Sequence, residues 1–250
     1  MTIRRRRTRA MLGAMVPMVV AVSACGAVNA DAGKPATERF AMLERGTAPE
    51  GTPITAATGS GVFAEELSGS VAYLDVTTDV AGPGVVTIGP GAIPGETVLS
   101  HFGPQEQFPY EVMTVSATST GRYVTGLAVT NPLDTRITLQ CTILGGLRLD
   151  PTAGQQPVTG HCSGGTTLTG TSTVTGSRDG QWNGKTVQLH TIRTDIAFDG
   201  PVSGTLRQTA DTVDGIGIAA RTELETTLEA GGVRFQQNIV RTVGQNQGAR

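Results

Sequence analysis

From Ile216 to Glu229 the side chains alternate without a break. Ile216, Ile218, Ala220, Thr222, Leu224, Thr226 and Leu228 fall in one phase, and Ala219, Arg221, Glu223, Glu225, Thr227 and Glu229 in the other. A period of two kept for that long specifies an antiparallel strand with one dry and one wet face. "EAGGV" then supplies a hairpin turn, after which Val233, Phe235 and Ile239 resume the dry phase up to residue 243. Further back, residues 166–177, 186–198 and 202–212 alternate in the same way, with turn residues between them. The phase slips between Leu189 and Ile192, which predicts a β-bulge near His190. "SVAYLDVTT", "YEVMTVSAT", "RYVTGLAVT" and "TRITLQC" read as earlier strands, and "AGPGVVTIGPGAIPGETV" as brief strands among Pro-Gly turns. The expected fold is all-β, an antiparallel meander curling into a half-barrel or barrel. Its dry face needs a cover: a helix through Phe40 and Leu43, a second layer from residues 69–100, or a bound apolar molecule.

The chain opens with five arginines (Arg4, Arg5, Arg6, Arg7 and Arg9), then an apolar run from Met11 to Val22, then small residues. That order is a secretory signal, and the apolar run falls short of the ~20 residues a spanning helix needs. Two cleavage sites compete. Val22-Ser23-Ala24-Cys25 has the form of a lipobox, which would place a lipid on Cys25 and hold the chain at the outer face of the cytoplasmic membrane. Val28-Asn29-Ala30 fits ordinary cleavage after Ala30 and a freely secreted protein. The expected organisation is a signal peptide at 1–24, a tether at 25–33 and a short helix plus Pro/Thr/Gly-rich linker at 34–61. A single β-domain at 62–243 and a disordered tail at 244–250 complete it. Pro35 suits the first turn of that N-terminal helix and Gly46 its stop.

Five of the 19 basic residues precede Cys25 and none of the 21 acidic ones does, so the chain beyond it carries a net charge of −7. That sign disfavours nucleic acid and anionic headgroups, leaving the N-terminal lipid as the membrane contact.

Three cysteines are present. With Cys25 lipidated or discarded with the signal, Cys141 and Cys162 remain, and in an oxidising compartment they are expected to pair. Cys141 shares the apolar phase of Ile137, Leu139 and Ile143, a poor setting for a reactive thiolate. Closing a loop of about 22 residues would stabilise the fold by roughly 3 kcal/mol. "GHCSGG" also has the frame of a nucleophile elbow. An elbow needs a helix behind it, and "SGGTTLTGTSTVTG" is a poor helix former.

"GHCSGGTTLTGTSTVTG", "GKTVQLHTIRTDIAFDGPVSGT" and "ELETTLEAGGVRF" together resemble uncharacterised secreted proteins and lipoproteins of actinobacteria, over roughly residues 110–243. The resemblance implies an extracytoplasmic β-meander and assigns no functional residues.

Candidate chemistry is sparse. His101, His161 and His190 lack metal-ligand spacing, although His161 and His190 are placed to meet across neighbouring strands; no metal and no cofactor are expected. Asp75 and Asp79 read as solvated strand-end acids, since no calcium loop accompanies them. "GIGIAA" lacks the helix that a dinucleotide fingerprint requires. Trp182 sits at a polar hairpin tip in "SRDGQWNGK", where it either contacts a partner or folds back over its own hairpin. The expected role is non-catalytic binding or scaffolding in the envelope, toward a protein partner or an apolar ligand. The alternative is a lipid carrier using the concave face of the sheet, with a hydrolase behind both.

Overall fold

The computed structural model describes residues 49, 51–54, 61–103, 110–131, 134–149, 154–213 and 218–246. The strands in chain order are β1 (Gly61–Tyr73), β2 (Val76–Asp79), β3 (Gly82–Pro90), β4 (Glu96–Phe102), β5 (Glu111–Thr118), β6 (Gly121–Asn131), β7 (Asp134–Arg148), β8 (Gln155–Cys162), β9 (Thr166–Trp182), β10 (Lys185–Asp199), β11 (Val202–Val213), β12 (Ala219–Ala230) and β13 (Val233–Asn246). Each long strand pairs antiparallel with its neighbour in sequence, and β13 pairs back onto β1 from Phe63–Asn246 to Tyr73–Phe235. The sheet therefore closes into a twelve-stranded barrel. β2 lies on the same side of β1 as β3 and in the same register, so it continues β3 along the stretch of β1 that runs past it.

Local chemistry explains the tight connections. Asn183 (φ 50°) and Gly184 (φ 73°) join β9 to β10, and Gly231 (φ 57°) and Gly232 (φ 79°) join β12 to β13. Two successive left-handed residues make the turn whose twist matches that of the strands it joins, and Asn and Gly adopt it at little cost. β1 also ends in a two-residue turn, but there Leu74 (φ 54°) alone is left-handed.

The dry face of the C-terminal strands is covered by the other half of the same wall. Leu168, Ile196, Phe198, Leu206 and Leu224 share one buried cluster with Val86, Ile88, Leu99 and Val115. Phe63 on β1 and Trp182 at the end of β9 stack at 6.1 Å between ring centroids, although their strands are five places apart around the ring. The stack crosses the lumen, so the barrel is flattened and filled at that level.

Cys141 and Cys162 lie directly opposite one another and are disulfide-bonded. The ladder they sit in is the thinnest in the wall: β7 and β8 pair only at Cys141–Cys162, Thr142–His161 and Ile143–Gly160. Past Ile143, β7 bulges through Gly145 (φ 70°) and Gly146 (φ 74°) and returns to β6.

The closed ring fulfils the barrel expectation, with several corrections in detail. "SVAYLDVTT" is a hairpin and not one strand. β8 exists although no expected strand covered it. β9 runs to Trp182, and β13 reaches Asn246 into the segment expected to be a disordered tail. The phase slip does fall within the expected Leu189–Ile192 interval, between Thr191 and Ile192, with the extra residue on β9. Within the expected linker, Pro53 bridges to Thr118 and Ile54 donates its N–H to the Ala117 carbonyl, so this stretch lies along the end of β5. The signal, Cys25 and the helix through Phe40 and Leu43 lie outside the described residues.

Candidate functional site

The apolar phase of β1 runs Phe63, Glu65, Leu67, and that of β13 runs Phe235, Gln237, Ile239, Arg241, Val243; all are buried. A carboxylate and a guanidinium thus occupy positions that point into the barrel. His101 and Glu111 join them from β4 and β5, where they are register partners. Side-chain exposure is 0% for Glu65, 5% for His101, 3% for Arg241 and 6% for Glu111.

Neighbouring strands cannot explain these contacts, because β3 stands between β1 and β4. Two strand spacings are roughly 10 Å. The position of β3 level with Glu65 is Gly84, and an added Cβ there would collide with Leu67 and the Phe102 carbonyl. With no side chain in the way, Glu65 crosses β3, and its Oε1 lies 3.0 Å from His101 Nδ1. Its other oxygen accepts from Tyr110 Oη at 3.2 Å. Arg241 donates from Nη2 to Glu111 Oε1 at 2.8 Å, and its Nε lies 4.0 Å from Glu65 Oε1. Along the wall, β13 and β5 are four spacings apart, about 19 Å, so a direct ion pair requires the wall to fold sharply around this group. Leu67, Val71, Tyr110, Phe235 and Ile239 form a second apolar cluster beside it.

Burial alone would raise both carboxyls. For Glu65 the charge and hydrogen bond of His101, with Arg241 and Tyr110, outweigh it and hold the group below the ordinary carboxylate range. For Glu111 the neighbouring guanidinium does the same. Burial, with Glu65 and Glu111 nearby, pushes the Tyr110 phenol up. Burial works against the Arg241 charge, but Glu111, Tyr110 and Glu65 overcome it. Among the described residues, the two carboxylates face one permanent cation.

A carboxylate fixing Nδ1 of a histidine is the orientation that a general base uses, with Nε2 toward the reacting group. Here Nε2 is buried without a hydrogen-bond partner among the described residues, and His101 as a whole is 4% exposed. The geometry serves a clamp, joining four strands of which only β13–β1 and β4–β5 are ladder neighbours.

Other singled-out residues fall elsewhere. Trp182 is buried across the lumen and is not an exposed contact at the hairpin tip. His161 is exposed on β8, while His190 is buried on β10 with Nδ1 2.6 Å from Ser177 Oγ. β9 separates them, so they do not meet. Asp75 lies in the β1–β2 turn and Asp79 ends β2, both exposed. On the outer face, an open groove of about 460 Å³ is bordered by Asp195, Arg207 and Glu225. Asp195 accepts from both Arg193 and Arg207, and these contacts hold its carboxyl low. Reading the sequence for motifs missed Glu65, Glu111 and Arg241. The available signal was a charge sitting in the apolar phase of a strand, as Glu65 and Arg241 do.

No protein-family model matches the chain, and no curated protein matches it in sequence. The crystal structure of the hypothetical lipoprotein YmcC from Escherichia coli (K12) overlays with a TM-score of 0.34 at 11% identity, covering 81% of this chain and 94% of that one. A likeness of that size transfers nothing to the site.

Proposed function

We propose that the chain is an extracytoplasmic envelope protein, held at the outer face of the cytoplasmic membrane by a lipid on Cys25, whose role is to bind or scaffold and not to catalyse. The observation that carries this reading is the Cys141–Cys162 bridge: two buried sulfurs join the weakest ladder of the barrel. Such bonds persist where the surroundings are oxidising. The lipobox supplies the attachment, and the net charge of −7 beyond Cys25 leaves the protein surface little attraction for anionic headgroups. Burial speaks against catalysis, since the Glu65–His101–Glu111–Arg241 group is enclosed by the wall it braces. A lipid carrier is the weaker reading, because the Phe63–Trp182 stack occupies the lumen.

The test compares the full chain with Cys25→Ser in a bacterial host that processes lipoproteins. The wild type should sediment with membranes and show a diacylglycerol mass on a chain starting at Cys25, whereas Cys25→Ser should be released. A wild-type product beginning at Asp31 in the soluble fraction would refute the anchor.

A further inference from the structure

β2 is the one strand among the described residues that has a partner on a single side. It pairs with β1 through Ser70–Asp79, Val71–Thr78, Ala72–Thr77 and Tyr73–Val76, and all four of its residues are exposed. Its phase is fixed at both ends. Val76 closes the two-residue turn against Tyr73, and the Val80 N–H donates to the Gly69 carbonyl at 2.9 Å. In an antiparallel ladder backbone direction alternates, so Thr77 and Asp79 turn their N–H and C=O groups away from β1, to the open side. Proteins commonly blunt such an edge by keeping it short, or with a charge, a proline or a bulge. Residues 76–79, Val-Thr-Thr-Asp, have only their shortness and Asp79 for that purpose.

The turn leading into β2 is equally unguarded. Leu74 is 58% exposed and Val76 63%. Leu74 also holds φ at 54°, a conformation that costs a branched aliphatic side chain and suits Asn or Gly. The β9–β10 turn has a residue at φ 50° in the equivalent place, and there it is Asn183. An apolar side chain is thus held out at a turn where a polar residue fits better, beside an open strand edge. Backbone strain of this kind concentrates at sites that do something other than hold the fold.

Charge selects the occupant. Asp75 lies between Leu74 and Val76, Asp79 ends β2, and the chain beyond Cys25 carries −7, so an anionic lipid surface is repelled. A second copy brings the same charge, and because only Thr77 and Asp79 face outward, antiparallel self-pairing would set Thr77 against that copy's Asp79. We propose that the free edge of β2 takes an extended, cationic segment of another protein as an added strand, with Leu74 and Val76 seated against apolar side chains of that partner. This rests on the binding role proposed above and names the partner's chemistry. Only two residues present their backbone outward, so the added strand is short and the docking reversible.

The test uses the purified full chain and two synthetic octapeptides, one alternating Lys and Val, the other Glu and Val. The Lys/Val peptide should slow amide exchange at Thr77 and Asp79 at least tenfold, and the Glu/Val peptide should leave it unchanged. Thr77→Pro removes only an outward N–H, so it should keep the melting midpoint while weakening Lys/Val binding at least tenfold. Equal binding of both peptides, or undiminished binding by Thr77→Pro, overturns the proposal. So does protection that appears without peptide as protein concentration rises, which would make a second copy the occupant. A chain that stays at the membrane yet fails this test loses the strand-addition site alone; one that is released and still binds loses only its anchor.

Discussion

Among the described residues, Arg241 is the single permanent cation paired with Glu65 and Glu111. Removing one member of a buried pair leaves the other charged and unpaired, so Arg241→Met should cost about 3–5 kcal/mol in urea unfolding, with much of it recovered when Glu111→Leu is added. The pH dependence follows from the same group. Both carboxyls titrate below the ordinary value of 4.5 in the folded chain, so in that window the unfolded chain binds more protons and stability rises with pH. Their contribution is complete above about pH 4.5 and is lost as the pH falls through the folded-state values. The double variant should flatten this acid slope relative to wild type. In the sequence, Glu65 and Arg241 each stand out as a charge in an apolar phase. Their pairing was illegible because it depends on Gly84 leaving a gap and on the wall folding until β5 approaches β13.

Among the elements, the β7–β8 seam has only three register pairs, one of them disulfide-bonded. Replacing both sulfurs, Cys141→Ala with Cys162→Ala, should lower stability by roughly 3 kcal/mol on the loop-closure argument. The Gly160 and His161 amides should then exchange faster than those of the long β9–β10 ladder; uniform change across the barrel would argue against a local seam. The bridge was readable beforehand because the expected compartment and the phase of Cys141 agreed. β9 to β13 were readable because alternation and Gly or Asn turns agreed. β8 was not, since Pro157 and Gly160 interrupt its pattern. The β1–β2 hairpin was missed because Leu74–Asp75 carries no turn signature, so a bend with a left-handed leucine passed as continuous strand.

At the scale of the whole molecule, the flattening of the ring depends on contacts between strands that are distant around it. Phe63→Ala should cost about 3–5 kcal/mol and leave a cavity beside Trp182. The sole tryptophan reports this directly: its emission should be blue-shifted in the wild type and move to the red in the variant. An unchanged spectrum would place the indole outside the lumen. Closure, as opposed to a half-barrel, was beyond the sequence pattern, because alternation sets which face is dry and says nothing about whether β1 finds β13. That pairing joins Phe63 to Asn246, near the two ends of the described chain. No shorter piece can complete the hoop, and joining such remote segments makes folding slow. During synthesis the polypeptide therefore stays pliant until the residues of β13 are free to pair with β1.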